Sequence, residues 1–259
     1  MRHPWFRASA APRVLAHRGF TPPDAEGIVE NSVASLAAAH GAGAVYVESD
    51  CHVTADGDVV LFHDEDLRRV AGDPRFVSEV RTRELADIMG DRGGLATLAD
   101  ALEAFPDLHF NLDVKEDAVA EPMGRLIAPH ADRVLVSSFS DDRRLRCLVA
   151  TREAGGEPAT SAGQATLIRV VAALSARLGR TARRALDGVD ALQIPERHRG
   201  IRILTPRLID TAHAAGVEVH VWTVNAPADM SRLLTAGVDG LVSDRTDLAL
   251  LAAAAHSRP

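Results

Sequence analysis

Short apolar runs alternate with helical patterns along most of the chain. RVLAH (13–17) reads as a strand, and NSVASLAAAHGAG (31–43) as a helix with an Asn/Ser start and a Gly stop. AVYVESD (44–50) is a predicted strand, and DVVLFH (58–63) another, after the turn signal ADG. A helix is expected over 97–105, a strand over 108–115, a helix near 117–131, a strand over 133–139 and a helix to about 153. EPATSAG (157–163) holds a short strand, followed by a helix over 164–178. The rest reads as strand 191–195, helix 205–216 with Pro at its start and Gly at its end, strand 217–224, helix 226–237, strand 240–244 and helix 246–255.

About eight βα units, plus the extra strand 58–63, imply a parallel sheet covered by helices. Eight such units within 259 residues fit a closed (β/α)8 TIM barrel better than an open sheet, and a single such domain accounts for residues 1–259. The stretch 64–96 reads as a polar interruption between the second strand and its helix, on the side where barrel active sites are built.

Composition narrows the function classes. Hydrophobic residues at 46% and charged residues at 25% suit a soluble globular protein. A net charge of −7 argues against a nucleic-acid partner, which would favour a basic face. Two cysteines, Cys51 and Cys147, make neither a disulfide framework nor a zinc cluster. No segment approaches the roughly 20 apolar residues of a membrane span, and MRHPWFRASAAPRVLAHRG lacks the apolar stretch of a signal peptide. The expectation is a soluble cytoplasmic protein without stable membrane insertion.

Ionisable residues collect at predicted strand ends. Glu48 and Asp50, two apart in a strand, point to one face; so do Asn111, Asp113 and Lys115. His17-Arg18 and His63-Asp64 end two further strands, and His220 and Trp222 lie on another, with Asn225 just beyond. A plain reading of the acid pair is an ion pair with Lys115. Taken together, Glu48, Asp50 and Asp113 converge on one barrel mouth, and such hard oxygen ligands suit Mg²⁺ or Ca²⁺ rather than zinc. Two histidines beside a divalent ion form a phosphodiester-cleaving set: one imidazole takes a proton from the nucleophile, and the other gives one to the leaving oxygen. The ion, Arg18 and Lys115 would offset charge on the phosphoryl oxygens. Cys51 faces away from the acids and reads as a packing residue. Most of His3, His40, His52, His109, His130, His198, His213, His220 and His256 are expected at the surface. No Ser, Cys or Thr near these residues has an obvious activating base, so the attacking oxygen comes from substrate or water.

The string running from AHRGF through ENSVASLAAAHGAGAVYVESDCHVTADGDVVLFHDEDLRR resembles the glycerophosphodiester phosphodiesterase family. The matching pieces are His17-Arg18-Gly19, Glu30-Asn31, Glu48 with Asp50, Thr54-Ala55-Asp56-Gly57 and His63-Asp64. Later stretches agree: NLDVK (111–115), VSSF (136–139), VWTVN (221–225) and GVDGLVSDRTDL (237–248). The resemblance implies a (β/α)8 barrel, one divalent cation, and hydrolysis of small-molecule glycerophosphodiesters to an alcohol and glycerol 3-phosphate. By position it implies His17 and His63 as the acid/base pair, and Glu48, Asp50 and Asp113 as metal ligands. It also implies Arg18 and Lys115 at the phosphate and Trp222 in the glycerol pocket. Two departures bear on metal choice and substrate range rather than fold: the usual Pro before the Glu-Asn pair is absent from IVEN, and Asp113 stands where Glu is usual. The insertion 64–96 is short, which leaves the pocket open to large alcohol groups. Two readings from other classes compete: a non-catalytic barrel that binds a phosphorylated ligand, and a metal-dependent aldolase or isomerase on the same fold. The intact histidines and acids weigh against the first, and two strand-end histidines beside an arginine weigh against the second.

Overall fold

The computed structural model describes residues 2–257. Strand β1 (Arg13–His17) leads to α1 (Val33–Gly41), and β2 (Tyr46–Val53) turns into β3 (Val59–Leu61). The insertion that follows carries α2 (Arg68–Ala71) and α3 (Thr82–Met89) before α4 (Leu98–Ala104). Next come β4 (His109–Val114), α5 (Ala120–Ile127), β5 (Val134–Ser137), α6 (Asp141–Glu153), β6 (Ala159–Thr160), α7 (Gln164–Ser175) and α8 (Gly179–Arg184). Strand β7 (Ala191–Ile194) is followed by a small hairpin, β8 (Arg197–His198) and β9 (Ile201–Arg202), and by α9 (Pro206–His213). The chain ends in β10 (Glu218–Val221), α10 (Pro227–Thr235), β11 (Gly240–Ser243) and α11 (Thr246–His256).

Eight strands pair in parallel in the order β6-β5-β4-β2-β1-β11-β10-β7. A single parallel bridge between Ser161 and Ala191, with Ala162 N donating to Ala191 O at 2.9 Å, brings β6 against β7 and nearly closes the barrel. The expected (β/α)8 fold is therefore present. Alternation along each strand sorts the side chains. On β2, Val47, Ser49 and Cys51 face the helices, where Cys51 packs with Leu36, Leu102, Met123 and Leu148. A second apolar arc joins Val14, Leu192, Val219 and Leu241 to Val170, Leu208, Met230 and Ala249. Leu15, Tyr46, Leu135, Ala191 and Val242 fill the barrel interior with Trp5 and Phe6 of a 3-10 turn, Pro4–Arg7. Each Leu, Val or Phe among them, when fully buried, contributes about 1.5–3 kcal/mol.

Several features escape the sequence pattern. The insertion 64–96 is not merely polar: Leu67, Val77, Val80, Leu85 and Met89 pack on Val60 and Phe62 as a small core of their own. The hairpin β8–β9 and the helices α2, α3 and α8 have periods too short to read. Nor do all the remaining histidines reach the surface. His52 is buried beside Glu116 and the His63 carbonyl, and His220 is fully buried against Glu218 at 2.8 Å. Among the described residues no helix is long and apolar enough to cross a membrane.

At the N-terminal end of the barrel, Arg13 is fully buried and forms a two-pronged ion pair with Glu218, Nε to Oε2 at 2.8 Å and Nη2 to Oε1 at 2.9 Å. Arg13 also donates to the Tyr46 hydroxyl at 2.7 Å and to the Ser9 and Phe6 carbonyls. Burial pushes the Glu218 pKa up, but the hydrogen bonds from His220 and Arg13 outweigh it and hold it at about 2. A carboxylate depressed in the fold adds stability above its unfolded value of about 4.5, and that stability drains away as pH falls toward about 2. Glu218→Gln is therefore expected to destabilise the protein by about 3 kcal/mol at neutral pH, since it strands a buried guanidinium. The deficit should shrink as pH falls below about 4.5. Urea unfolding of both proteins across pH tests this, and a deficit independent of pH would contradict the ion-pair account.

Candidate active site

The site is built by strand register. His17, Glu48 and Asn111 are level across β1, β2 and β4, and Asp50, Asp113 and Ser137 form the next inward level across β2, β4 and β5. Period two then aims Glu48 and Asp50, and Asn111 and Asp113, into the C-terminal mouth. The loop after β1 is shaped by Gly19. Its φ is +83°, and a Cβ there would lie 2.4 Å from Ser35 Oγ and 2.7 Å from the Ser35 carbonyl carbon. Only glycine lets the chain pass that close to the first turn of α1, which Ser32 and Ser35 cap reciprocally at 3.1 Å. Asn31 N then donates to Arg18 O at 2.8 Å, and Arg18 N to Glu48 O at 2.8 Å. The His-Arg-Gly and Glu-Asn motifs thus brace one another.

His63 is delivered by the β2–β3 hairpin. Thr54 Oγ1 donates to Asp56 at 2.8 Å and accepts from Asp58 N, Gly57 sits at φ +96°, and β3 runs back antiparallel along β2. Phe62 N donates to Asp50 O at 2.9 Å, which sets His63 over the acids.

All eight residues singled out from sequence line one cavity of about 640 Å³: His17, Arg18, Glu48, Asp50, His63, Asp113, Lys115 and Trp222. Each histidine has its Nδ1 on a carboxylate, His17 on Asp244 at 2.5 Å and His63 on Asp64 at 2.7 Å. Arg69 in turn holds Asp64 at 2.6 Å. Asn225 fixes Asp244 by donating Nδ2 to its Oδ2 at 2.6 Å and accepting its backbone N–H at 2.9 Å. The other nitrogen of His17 lies 3.9 Å from Glu48. Trp222 meets Phe139 edge-on, with ring centroids 5.9 Å apart.

Charge is unequally matched among the three acids. Asp50 has Lys115 at 2.9 Å, Arg18 Nε at 3.2 Å and Asn31 Nδ2 at 3.1 Å. Burial raises its pKa, but Lys115, Arg18 and His63 outweigh this and leave it lowered. Asp113 has Lys115 at 3.4 Å, and burial and Asp50 raise its pKa. Among the described residues Glu48 has no cationic side chain closer than His17; burial and the Asp50 charge push it up to about 8. Burial would lower His17, yet the hydrogen bond it donates to Asp244 and the Glu48 charge leave it raised.

As the side chains stand, Lys115 ties Asp50 to Asp113, and among the described residues no three acidic, histidine or cysteine groups are gathered around one point for a metal. The donors nonetheless fit a hard cation. The mouth holds a surplus of buried carboxylate, and the buried Oδ1 atoms of Asn111 and Asn31 have no hydrogen-bond partner among the described residues.

Sequence reasoning missed Asp244 as the partner of His17, although the GVDGLVSDRTDL stretch contains it. The missing information was barrel closure, which sets β11 beside β1. Asp64 and Asn225 were visible only as neighbours of other residues.

The chain matches the model of the glycerophosphoryl diester phosphodiesterase family over residues 17–248. It is 35% identical over 237 residues to the probable glycerophosphodiester phosphodiesterase 2 of Mycobacterium tuberculosis, covering 90% of this chain and 88% of that one. It is also 26% identical over 250 residues to a glycerophosphodiester phosphodiesterase of Caldanaerobacter subterraneus, covering 89% and 93%. Its fold superposes on an Oleispira antarctica phosphodiesterase in complex with the product sn-glycerol-3-phosphate, with TM-score 0.67, 24% identity and coverage of 93% and 96%. The family match begins at His17 and takes in every cavity residue named above, and the chain belongs to the glycerophosphoryl diester phosphodiesterase family.

Proposed function

We propose that the chain hydrolyses glycerophosphodiesters to an alcohol and sn-glycerol 3-phosphate by histidine acid–base catalysis, with one Mg²⁺ or Ca²⁺ held by Glu48, Asp50 and Asp113. The observation that carries this reading is the pair of carboxylate-oriented imidazoles, His17 and His63, sharing one cavity with Arg18, Lys115 and the three acids. Asp244 and Asp64 bind Nδ1, so each imidazole turns Nε2 to the reacting atoms. Arg18 and Lys115 supply fixed positive charge for the phosphoryl oxygens. Trp222 lines the glycerol subsite. When bound, a divalent cation would add charge neutralisation at phosphorus and acidify a hydroxyl placed against it. The product-bound Oleispira antarctica phosphodiesterase, of the same fold, supports the choice of glycerol 3-phosphate as product.

The nucleophile is the substrate's own 2-hydroxyl. It stands close to phosphorus within one molecule, and such intramolecular attack gains an effective molarity of up to about 10⁵–10⁸ M. One histidine takes the hydroxyl proton while the other protonates the departing alcohol. Water then opens the cyclic phosphate with the roles reversed.

Chelation by EDTA is expected to abolish release of glycerol 3-phosphate from glycerophosphocholine, and Mg²⁺ or Ca²⁺ to restore it. Glu48→Gln should weaken cation binding measured by calorimetry more than it weakens the fold. Full activity of metal-free protein, or unchanged affinity in Glu48→Gln, would remove the ligand assignment.

His17→Ala and His63→Ala should each lower turnover by about 10² to 10⁴ while the protein stays folded. Asp244→Asn replaces the charged acceptor that raises His17 by a neutral one, so the pH–rate limb that belongs to His17 should move to lower pH. Near-normal turnover in a histidine variant, or an unmoved pH profile in Asp244→Asn, would take that residue out of the scheme.

A substrate with hydrogen in place of the 2-hydroxyl should be turned over far more slowly than its parent. Equal rates would mean that water attacks phosphorus directly.

A further inference from the structure

Arg69, on the short helix α2 of the insertion, grips two carboxylates at once. Its Nε donates to Asp64 Oδ2 at 2.6 Å, and its Nη2 donates to Glu30 Oε1 at 2.6 Å. Neither acid is idle. Asp64 holds His63 Nδ1 at 2.7 Å through its other oxygen, Oδ1. Glu30 holds Arg18 Nη1 at 2.8 Å, and Arg18 reaches Asp50 through Nε at 3.2 Å. One chain of charge-assisted contacts thus runs from His63 through Asp64, Arg69, Glu30 and Arg18 to Asp50. It joins the segment after β3 to the loop after β1, two strands that do not pair with each other.

The backbone beneath Arg69 is fixed. Leu67, two residues before it, is fully buried in the small core of the insertion, with Val70 and Ala71 packed against that core. The Val70 carbonyl accepts from Arg92 Nε at 3.0 Å, and Gly72 closes the helix at φ +71°. The Glu30 side is anchored to the same arginine, since Val29 N donates to the Arg92 carbonyl at 3.2 Å. The plain alternative is a rim ion pair without effect on the reaction, because Arg69 is half exposed and such pairs add little to stability. Two features weigh against it. Both acceptors already serve groups assigned to the reaction, and without the guanidinium two carboxylates drawn to one point would repel. A guanidinium also offers separate nitrogens to two carboxylates in a fixed plane, which an ammonium cannot do.

We propose that Arg69 is a positioning residue for the reaction: through Asp64 it fixes the orientation of His63, and through Glu30 it fixes Arg18 beside the acids. This rests on the glycerophosphodiesterase reading above. With one oxygen on Arg69 and the other on His63, the Asp64 carboxylate is held against rotation. The imidazole then keeps its proton on Nδ1 and presents Nε2 to the phosphodiester. Glu30 is shared between Arg69 and Arg18, so it orients Arg18 without taking the whole of its charge.

The test measures choline release from glycerophosphocholine by the full chain with Mg²⁺ present. Arg69→Ala should lower kcat/KM by about 10- to 10²-fold while the urea-unfolding midpoint stays near that of wild type. Arg69→Lys, which can hold only one carboxylate at a time, should recover part of the loss. Made in Asp64→Asn or in Glu30→Gln, Arg69→Ala should cost several times less than in wild type, because each background already lacks one arm of the strut. Unchanged kcat/KM in Arg69→Ala, or a loss undiminished in either background, overturns the proposal. Should wild type release no choline, the glycerophosphodiesterase reading fails. The ring ¹⁵N shifts of His63, assigned by their loss in His63→Ala, then judge the strut on its own. Neutral His63 should carry its proton on Nδ1 in wild type, with the Nε2-protonated form rising in Arg69→Ala. The same tautomer ratio in both proteins overturns the proposal.

Discussion

Three carboxylates buried on neighbouring strand ends set the terms for the rest of the mouth. Glu48, Asp50 and Asp113 are each less than 10% exposed, and the β2–β4 register puts Asp50 directly opposite Asp113. Charges of one sign that close cannot all persist out of water without cations. The fold supplies two. Lys115 comes from the end of β4, and Arg18 from a loop that needs a glycine at Gly19 and a left-handed Asn31 to approach α1 closely enough. Arg18 is shared with Glu30 at 2.8 Å, so its charge is only partly available to the acids. The shortfall falls on Glu48, whose carboxyl is pushed toward the protonated form. The mouth is thus arranged to gain from one more positive charge.

The opposite end of the same barrel treats charge differently. There Arg13 and Glu218 are as deeply buried, but each carboxylate oxygen meets a guanidinium nitrogen, and Tyr46, Ser9 and Phe6 take the remaining donors. Breaking such a matched pair is costly, and keeping it holds Trp5 and Phe6 as a plug beneath the barrel. One end closes its charges on themselves; the other leaves a surplus. This division follows the general rule that barrels place chemistry at the C-terminal strand ends and stability at the other.

Much of this was legible because it depends on period. Two-residue alternation in VYVESD and NLDVK is enough to place Glu48, Asp50, Asn111 and Asp113 on the barrel's inner side, and repeated βα units are enough to give the barrel. Whatever depends on closure or on short segments was not legible. Asp244 lies more than 200 residues from His17 and reaches it only because β11 pairs with β1. His220 alternates into the barrel interior like Trp222, but nothing local says that Glu218 and Arg13 wait there for it. The small core of 64–96 is spread over turns and helices of three to eight residues, too short for any periodicity to emerge. The ion pairs of Lys115 were foreseen as the plain alternative to a metal site, and they coexist with the unmatched charge on Glu48.

The walls of the mouth differ in kind. His63 stands on a wall backed by packed apolar residues, Val60, Phe62, Leu67 and Val80, so its position is tied to the β2–β3 hairpin and to Asp64. Loosening that wall would disturb the acid–base geometry itself. Another wall is made of α7 and a hairpin of two-residue strands, which line the cavity through Ile168, His198, Arg199 and Ile201, with Phe139 from the loop after β5 also on the lining. Substitutions there can change which molecules enter without moving His17, His63 or the acids. A site built this way can vary its substrate range through one wall while the other keeps the chemistry fixed.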